Sequence, residues 1–322
     1  MKMTIRTLAI MIVMAATINS FAQTKEDAVN AYNKAVTLAG SDPQQAVVSM
    51  KEAADIAAKV GVEADTIGQM AQQQIATLQY NYATALYKEK KIDEAVENFK
   101  IASDYAKQYN DESTKAKADG LLPKLYLAKG VNDYKSENYD AAVESYTKAL
   151  EYDSTMARAW LNMGLAYKKQ NKDAEMRNAF ENAVKQGLAT NDEKTVEAAR
   201  KSMSDDLLIT ANNAFKKNDF KTTADLLQEA VKYTEDNPEI FYLYAVALNK
   251  LERYDDALAQ AEKGLTVEED TPVKKARFHF EIGNAQAGKG QSGDACASYK
   301  KAAVGAFAES ANYQIKNVLK CS

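Results

Sequence analysis

Residues 138–150 read NYDAAVESYTKAL, and residues 157–183 read ARAWLNMGLAYKKQNKDAEMRNAFENA. In the second stretch Trp160, Gly164 and Tyr167 are followed by Phe180, 13 residues beyond Tyr167, and by Ala183 three residues later. One period of 34 residues upstream, the same frame holds Tyr126, Gly130, Ala142, Tyr146 and Ala149. Small and large residues thus recur at helical spacings. The pattern suits two paired helices whose axes approach at the small residues, with rings filling the gaps beside them. A single helical pair cannot bury its own apolar face, so a fixed period of this length predicts stacking.

The frame recurs along the chain. Ala95, Phe99 and Ala102 mark a second helix in 76–109; Ala257, Ala261 and Gly264 mark one in 238–271; Gly283, Ala295, Tyr299 and Ala302 mark 276–309. Weaker copies fall at 27–60, with Ala46, Met50 and Ala53, and at 204–237, with Leu227 and Ala230. With 123–156 and 157–190, these copies make seven, and they resemble the tetratricopeptide repeat over nearly all of residues 23–322. Ser154 stands where that family closes a repeat with proline, and Met176 where it opens the second helix with a small residue. The resemblance implies an all-α protein, a right-handed α-solenoid (superhelix) of about seven helix pairs in one domain, 23–322. Ser310–Lys320 reads as a closing helix, so that a capping helix is expected over 310–321.

Composition agrees with helix throughout. Of 322 residues, 46% are apolar and 27% charged, with only 13 glycines and 4 prolines to interrupt helices. Pro43 and Pro272 lie at predicted helix starts, and Pro123 and Pro238 at the first position of a repeat, where a missing N–H costs nothing. Three spacers, 61–75, 110–122 and 191–203, break the period; rich in helix formers such as Lys115-Ala-Lys-Ala, they read as lengthened repeat helices and short turns.

The first 22 residues do not belong to the repeats. Lys2 and Arg6 precede the apolar run Leu8–Ala16, and Ser20-Phe21-Ala22 places small residues at a signal-peptidase site. This is the pattern of a secretory signal peptide, and the run is well short of the ~20 residues of a membrane span. An exported chain, periplasmic and soluble after cleavage in a Gram-negative bacterium, is expected. Export brings an oxidising compartment, where the two cysteines, Cys296 and Cys321, invite pairing. Cys296 lies 12 residues before an expected helical turn near Ala308 and Cys321 13 after it, so both reach the same end of a hairpin.

Little in the chain promotes catalysis, and a non-catalytic protein with no cofactor and no metal site is expected. One histidine, His279, and two cysteines exclude most metal and Ser-His or Cys-His sites. His279 sits where the family packs a large residue between helices, and a buried packing role is expected. Gly288-Lys-Gly290-Gln-Ser-Gly293 matches G-x-G-x-x-G, and Gly283 to Lys289 begins a P-loop pattern, but both phosphate sites need a preceding strand and a helix is predicted there. A net charge of −4 with mixed signs gives no footprint for nucleic acid.

The resemblance places function in a concave groove lined by the first helix of each repeat, at repeat positions 2, 5, 9, 12 and 13. Carried over, these are Tyr80, Thr84 and Tyr87; Leu127, Val131 and Tyr134; Arg158, Leu161 and Leu165; Leu208, Asn212 and Phe215; Tyr242 and Val246; Arg277, Phe280 and Asn284. Five consecutive repeats add lysine at position 13: Lys88, Lys135, Lys169, Lys216 and Lys250. Exposed Tyr, Phe and Arg anchor interfaces, and a lysine ladder suits an acidic partner segment or a C-terminal carboxylate. The same lysines also favourably cap the negative ends of helices. The Lys/Asn set of the family's carboxylate-clamp subgroup is missing, so chaperone tails are not implied. The expectation is a scaffold docking a protein or peptide segment in its groove. The alternatives are a structural subunit of an envelope assembly and a glycan-binding protein.

Overall fold

The computed structural model describes residues 23–321, and the leader expected over 1–22 lies outside the described residues. Among the described residues the chain is all-α, with fifteen α-helices and no strand. Seven helix pairs succeed one another. They are α1 (Lys25–Leu38) with α2 (Pro43–Val60), α3 (Asp65–Lys88) with α4 (Ile92–Gln108), α5 (Glu112–Lys135) with α6 (Tyr139–Tyr152), and α7 (Ala157–Lys169) with α8 (Asp173–Ala189). The last three are α9 (Glu193–Lys216) with α10 (Phe220–Ala230), α11 (Pro238–Lys250) with α12 (Tyr254–Val267), and α13 (Pro272–Gly288) with α14 (Ser292–Ala302). A 3-10 turn at Gly305–Phe307, α15 (Ala308–Tyr313) and a π-turn at Gln314–Val318 follow. The closing segment therefore begins at Ala308 and tightens and widens its helix, where the sequence suggested one helix over 310–321.

The chain divides into two compact units, with the boundary between Leu125 and Tyr126, inside α5. The first unit is packed around Ala28, Ala46, Met50, Ala53 and Ile75. In the second, Met176, Phe180, Met203, Leu207, Leu227 and Ile240 form the largest described cluster, joined by smaller ones around Tyr146, Phe278 and Tyr299.

Two local rules build the pairs. The first is interlock between glycine and ring. A Cβ on Gly164 would stand 2.6 Å from the ring of Phe180, and one on Gly283 would stand 2.8 Å from that of Tyr299. Gly130 meets Tyr146 in the same way. The second rule is the turn. Lys90, Glu137, Asn171, Asn218, Glu252 and Gly290 all have φ between 57° and 78° and all occupy the fifteenth position of their repeats. In each case the following N–H bonds back five residues, as from Lys172 to Tyr167 at 3.0 Å and from Gln291 to Gln286 at 2.9 Å. This left-handed closure satisfies carbonyls that the helix end leaves open. Gly290 is thus a turn residue, and Gly283 to Gly288 is helix with no strand before it; the phosphate-loop spacing has no structural counterpart.

Residues 65–75, 112–122 and 193–203 are the opening turns of α3, α5 and α9, each 24 residues long against 13 for α7 and α11. Pro43, Pro238 and Pro272 open helices. Pro123 does not: it lies inside α5. The first position of that repeat is not a helix start, because the preceding segment is itself helical. An interior proline removes one helical hydrogen bond and crowds the carbonyl four residues back. The boundary between the two units falls two residues beyond it.

Candidate functional site

In the second unit the first helices of successive repeats meet, α7 with α9, α9 with α11 and α11 with α13. Among the described contacts no second helix meets the next second helix to that degree. Successive pairs in the second unit thus approach one another through their first helices.

Every residue expected in the groove lies on the first helix of its repeat, and none is fully buried. In the first unit α3 carries Tyr80, half-buried with its ring 5.3 Å edge-on from Phe99, and the exposed Tyr87 and Lys88. In the second unit Leu127 and Tyr134 on α5, Leu161 on α7 and Phe215 on α9 pack one side against the core. Tyr134 also leans on Tyr139 at 5.4 Å, and Phe215 on Phe220 at 5.5 Å. Phe280 sits between Tyr299 and Phe307 at 5.5 and 5.4 Å. These rings show an edge or one face to solvent, not a whole side chain. Asn212 donates to the carbonyl of Leu208 in its own helix at 3.0 Å.

The lysines behave differently. Lys88, Lys135, Lys169, Lys216 and Lys250 are exposed, and each is the last residue of its helix, α3, α5, α7, α9 or α11. That position places the ammonium near the negative helix end and also leaves it in solvent. Arg158, at the start of α7, is exposed as well.

Two polar networks lie between the last two repeats. The Arg277 guanidinium donates from Nε to Glu268 at 2.8 Å and from Nη1 to Glu239 at 2.6 Å, and stands 5.0 Å over the Tyr242 ring. Its charge is already matched by two carboxylates, one of them, Glu268, with a side chain only 5% exposed. Burial raises the Tyr242 phenol to about 12, with the Glu281 charge adding to it. The second network centres on Glu281, 5% exposed. Its Oε2 accepts from Asn249 Nδ2 at 2.8 Å and from Asn284 Nδ2 at 3.1 Å, while Asn284 Oδ1 accepts from the Tyr299 hydroxyl at 2.8 Å. Glu239, Asn249 and Glu281 were not singled out from the sequence, and Glu268, which in the acidic run Glu268-Glu269-Asp270 reads as a solvated charge, instead has its side chain buried against Arg277. Glu281 did carry a signal: a carboxylate between Phe278 and Ile282 on the buried face of its helix.

His279 is half-buried, and burial first, then Lys301 and Lys275, hold its imidazole below the usual histidine range. No group of three or more His, Cys, Asp or Glu among the described residues is arranged to hold a metal. No described helix is long and apolar enough to cross a membrane. Cys296 of α14 and Cys321 are joined by a disulfide, with Cα atoms 5.9 Å apart. A cleft of about 710 Å³ lies between the added turns of α9 and the connection from α10 to α11; Arg200, Lys201, Asp205, Lys232 and Asp236 give it mixed charge.

Family models match the chain in three places: "TPR repeat" over 132–171, "Tetratricopeptide repeat" over 157–186, and "Anaphase-promoting complex, cyclosome, subunit 3" over 188–264. No curated protein matches the chain. Among solved structures, YrrB, described as a TPR protein with an unusual peptide-binding site, is 21% identical over 61% of this chain and 88% of its own, with a TM-score of 0.33. The C-terminal part of a TPR repeat-containing protein from Cytophaga hutchinsonii is 18% identical over 74% and 82%, with a TM-score of 0.36. A tetratricopeptide repeat protein from Parabacteroides merdae is 15% identical over 92% and 100%, with a TM-score of 0.30. Residues 132–186 of this chain thus match tetratricopeptide-repeat models.

Proposed function

We propose that this tetratricopeptide-repeat protein is a non-catalytic scaffold of the bacterial cell envelope, which holds an extended acidic segment of another protein along the first helices of its second unit. The observation that carries the reading is the row of exposed lysines at successive helix ends, Lys135, Lys169, Lys216 and Lys250, beside half-buried aromatic residues. Helix-end lysines offset the macrodipole and contribute a few tenths of a kcal/mol each. That role needs one cation per helix; it does not need the helices that carry the cations also to carry half-buried aromatic residues such as Tyr134, Phe215 and Tyr242. Together they offer charge complementarity for entry and partly packed rings for anchoring. Residue roles shift accordingly: Arg277, Phe280 and Asn284, engaged internally, shape the wall, while the lysines and Arg158 meet the partner. Export is supported by the leader-like start of the sequence and by the Cys296–Cys321 bond, since such bonds persist in oxidising compartments.

The test is charge reversal. Lys135→Glu, Lys169→Glu and Lys216→Glu together are expected to leave helicity and melting temperature nearly unchanged, because exposed substitutions alter stability little. Partners recovered from envelope extracts by the wild-type chain, and identified by mass spectrometry, are expected to bind the triple variant at least about tenfold more weakly, a loss of ~1.4 kcal/mol. Equal affinity for both proteins would reduce the lysines to helix caps.

A further inference from the structure

Glu281 is a carboxyl group buried between two repeats with only neutral donors in bonding contact. Asn249, 32 residues earlier on α11, donates from Nδ2 both to Glu281 Oε2 at 2.8 Å and to the Glu281 backbone carbonyl at 3.0 Å. The other end of that amide, Asn249 Oδ1, is buried and has no hydrogen-bond partner. A buried acceptor left unpaired is destabilising. It lies beside a carboxyl that, when ionised, has no proton to give. A single proton on Glu281 would supply a donor for Oδ1 while Nδ2 continues to donate to the same carboxyl. The result is a closed acid–amide pair across α11 and α13.

The surroundings favour that form. From α11, Lys250 is the one cation acting on Glu281, and it acts only through its field. The Tyr242 phenol of α11 and the Tyr299 phenol of α14 share that field, and both are raised to about 12 by burial and by Glu281 itself. On α13 itself, Arg277 is one turn away but is bound to Glu239 and Glu268. Among the described contacts, α12 and the Gly305–Phe307 turn bring no charged group to it. Burial accordingly drives the Glu281 carboxyl above the ordinary glutamate range, against the two asparagine amides and Lys250, which pull it down.

We propose that Glu281 is a proton-operated latch between the sixth and seventh repeats, closed on Asn249 when protonated and loosened when it ionises. The sign follows from linkage. A group that binds its proton more tightly in the folded state contributes stability that is complete below its unfolded value. That stability is lost as pH rises through the folded value. The last repeat is therefore firmest in acid and opens more often as the medium becomes neutral or alkaline. This inference stands apart from the docking reading and needs no partner.

Amide hydrogen exchange of residues 272–302 in the full-length protein tests it, comparing wild type with Glu281→Gln at each pH so that the chemical pH dependence cancels. Glutamine keeps the shape of the neutral acid and can donate to Oδ1. The ratio of wild-type to variant exchange is expected to be near one in acid. It then rises, by at most about tenfold per pH unit through the titration, so that the variant is the better protected on the alkaline side of it. A ratio that stays flat, or a variant that exchanges faster throughout, overturns the latch. Should the variant fail to fold, the carbon-13 shift of the Glu281 carboxyl in the wild-type chain gives the answer. A midpoint above the ordinary glutamate range is expected, and one within or below it overturns the proposal.

Discussion

At the scale of single residues, the repeats are locked by contacts that tolerate no extra atom. Gly164 is buried against Phe180, whose ring lies where a Cβ would need to be, 2.6 Å away. The ring cannot retreat, because Phe180 is itself fully buried in the largest described core cluster of the second unit. Gly164→Ala is therefore expected to destabilise the protein by about 2 kcal/mol, although alanine is the better helix former by about 1 kcal/mol. Thermal denaturation of the purified variant checks this. A melting temperature at or above that of wild type would mean that the helix pair separates freely, against the close packing described. Gly120, with open space around its Cβ position, is the matching control.

At the scale of helices and turns, the left-handed residue at the fifteenth position of six repeats ends each first helix and aims the second. Glycine adopts that conformation freely and asparagine tolerates it, whereas lysine and glutamate pay about 1 kcal/mol for it. Glu137 has φ 62° and is exposed. Replacing Glu137 with Gly is expected to stabilise the protein by about 0.5–1 kcal/mol, and Gly290→Ala, at φ 78°, to destabilise it by about 1 kcal/mol. Opposite signs from the two substitutions in chemical denaturation confirm the shared turn; equal signs contradict it. Asn171 and Asn218 were readable as turn residues from the sequence. Lys90, Glu137 and Glu252 were not, since nothing local to those residues prefers positive φ.

At the scale of the molecule, each repeat is held chiefly by its neighbours, so the ends are the weak points. The carboxy-terminal end is closed by the bond between Cys296 and Cys321, which spans 25 residues of sequence. In the chain-entropy account such a loop contributes about 3 kcal/mol. Reduction under native conditions is expected to raise hydrogen exchange over residues 292–321 while circular dichroism keeps most of its helical amplitude. Cooperative loss of helix from the whole chain on reduction would show that the bond supports far more than the last pair. The same end holds Glu281 and Arg277, so the final two repeats combine a covalent closure with buried polar contacts that apolar packing alone does not require.

What the sequence determined by itself was periodic and short-ranged. The spacing of Trp160, Gly164, Phe180 and their copies marked helix pairs, their stacking and the first-helix row. The helix-forming spacers were readable as the added turns of α3, α5 and α9, because propensity and small-large alternation act over a few residues. The tertiary structure alone decided what those helices bring together across repeats. Arg277 meets Glu239 from 38 residues away, and Asn249 meets Glu281 from 32. Such pairs leave no periodic trace, for their cost and benefit depend on how deeply the neighbouring helix excludes water. The same holds for Pro123. Its repeat position suggested a helix start, and only the helical segment packed before it makes it an interior residue.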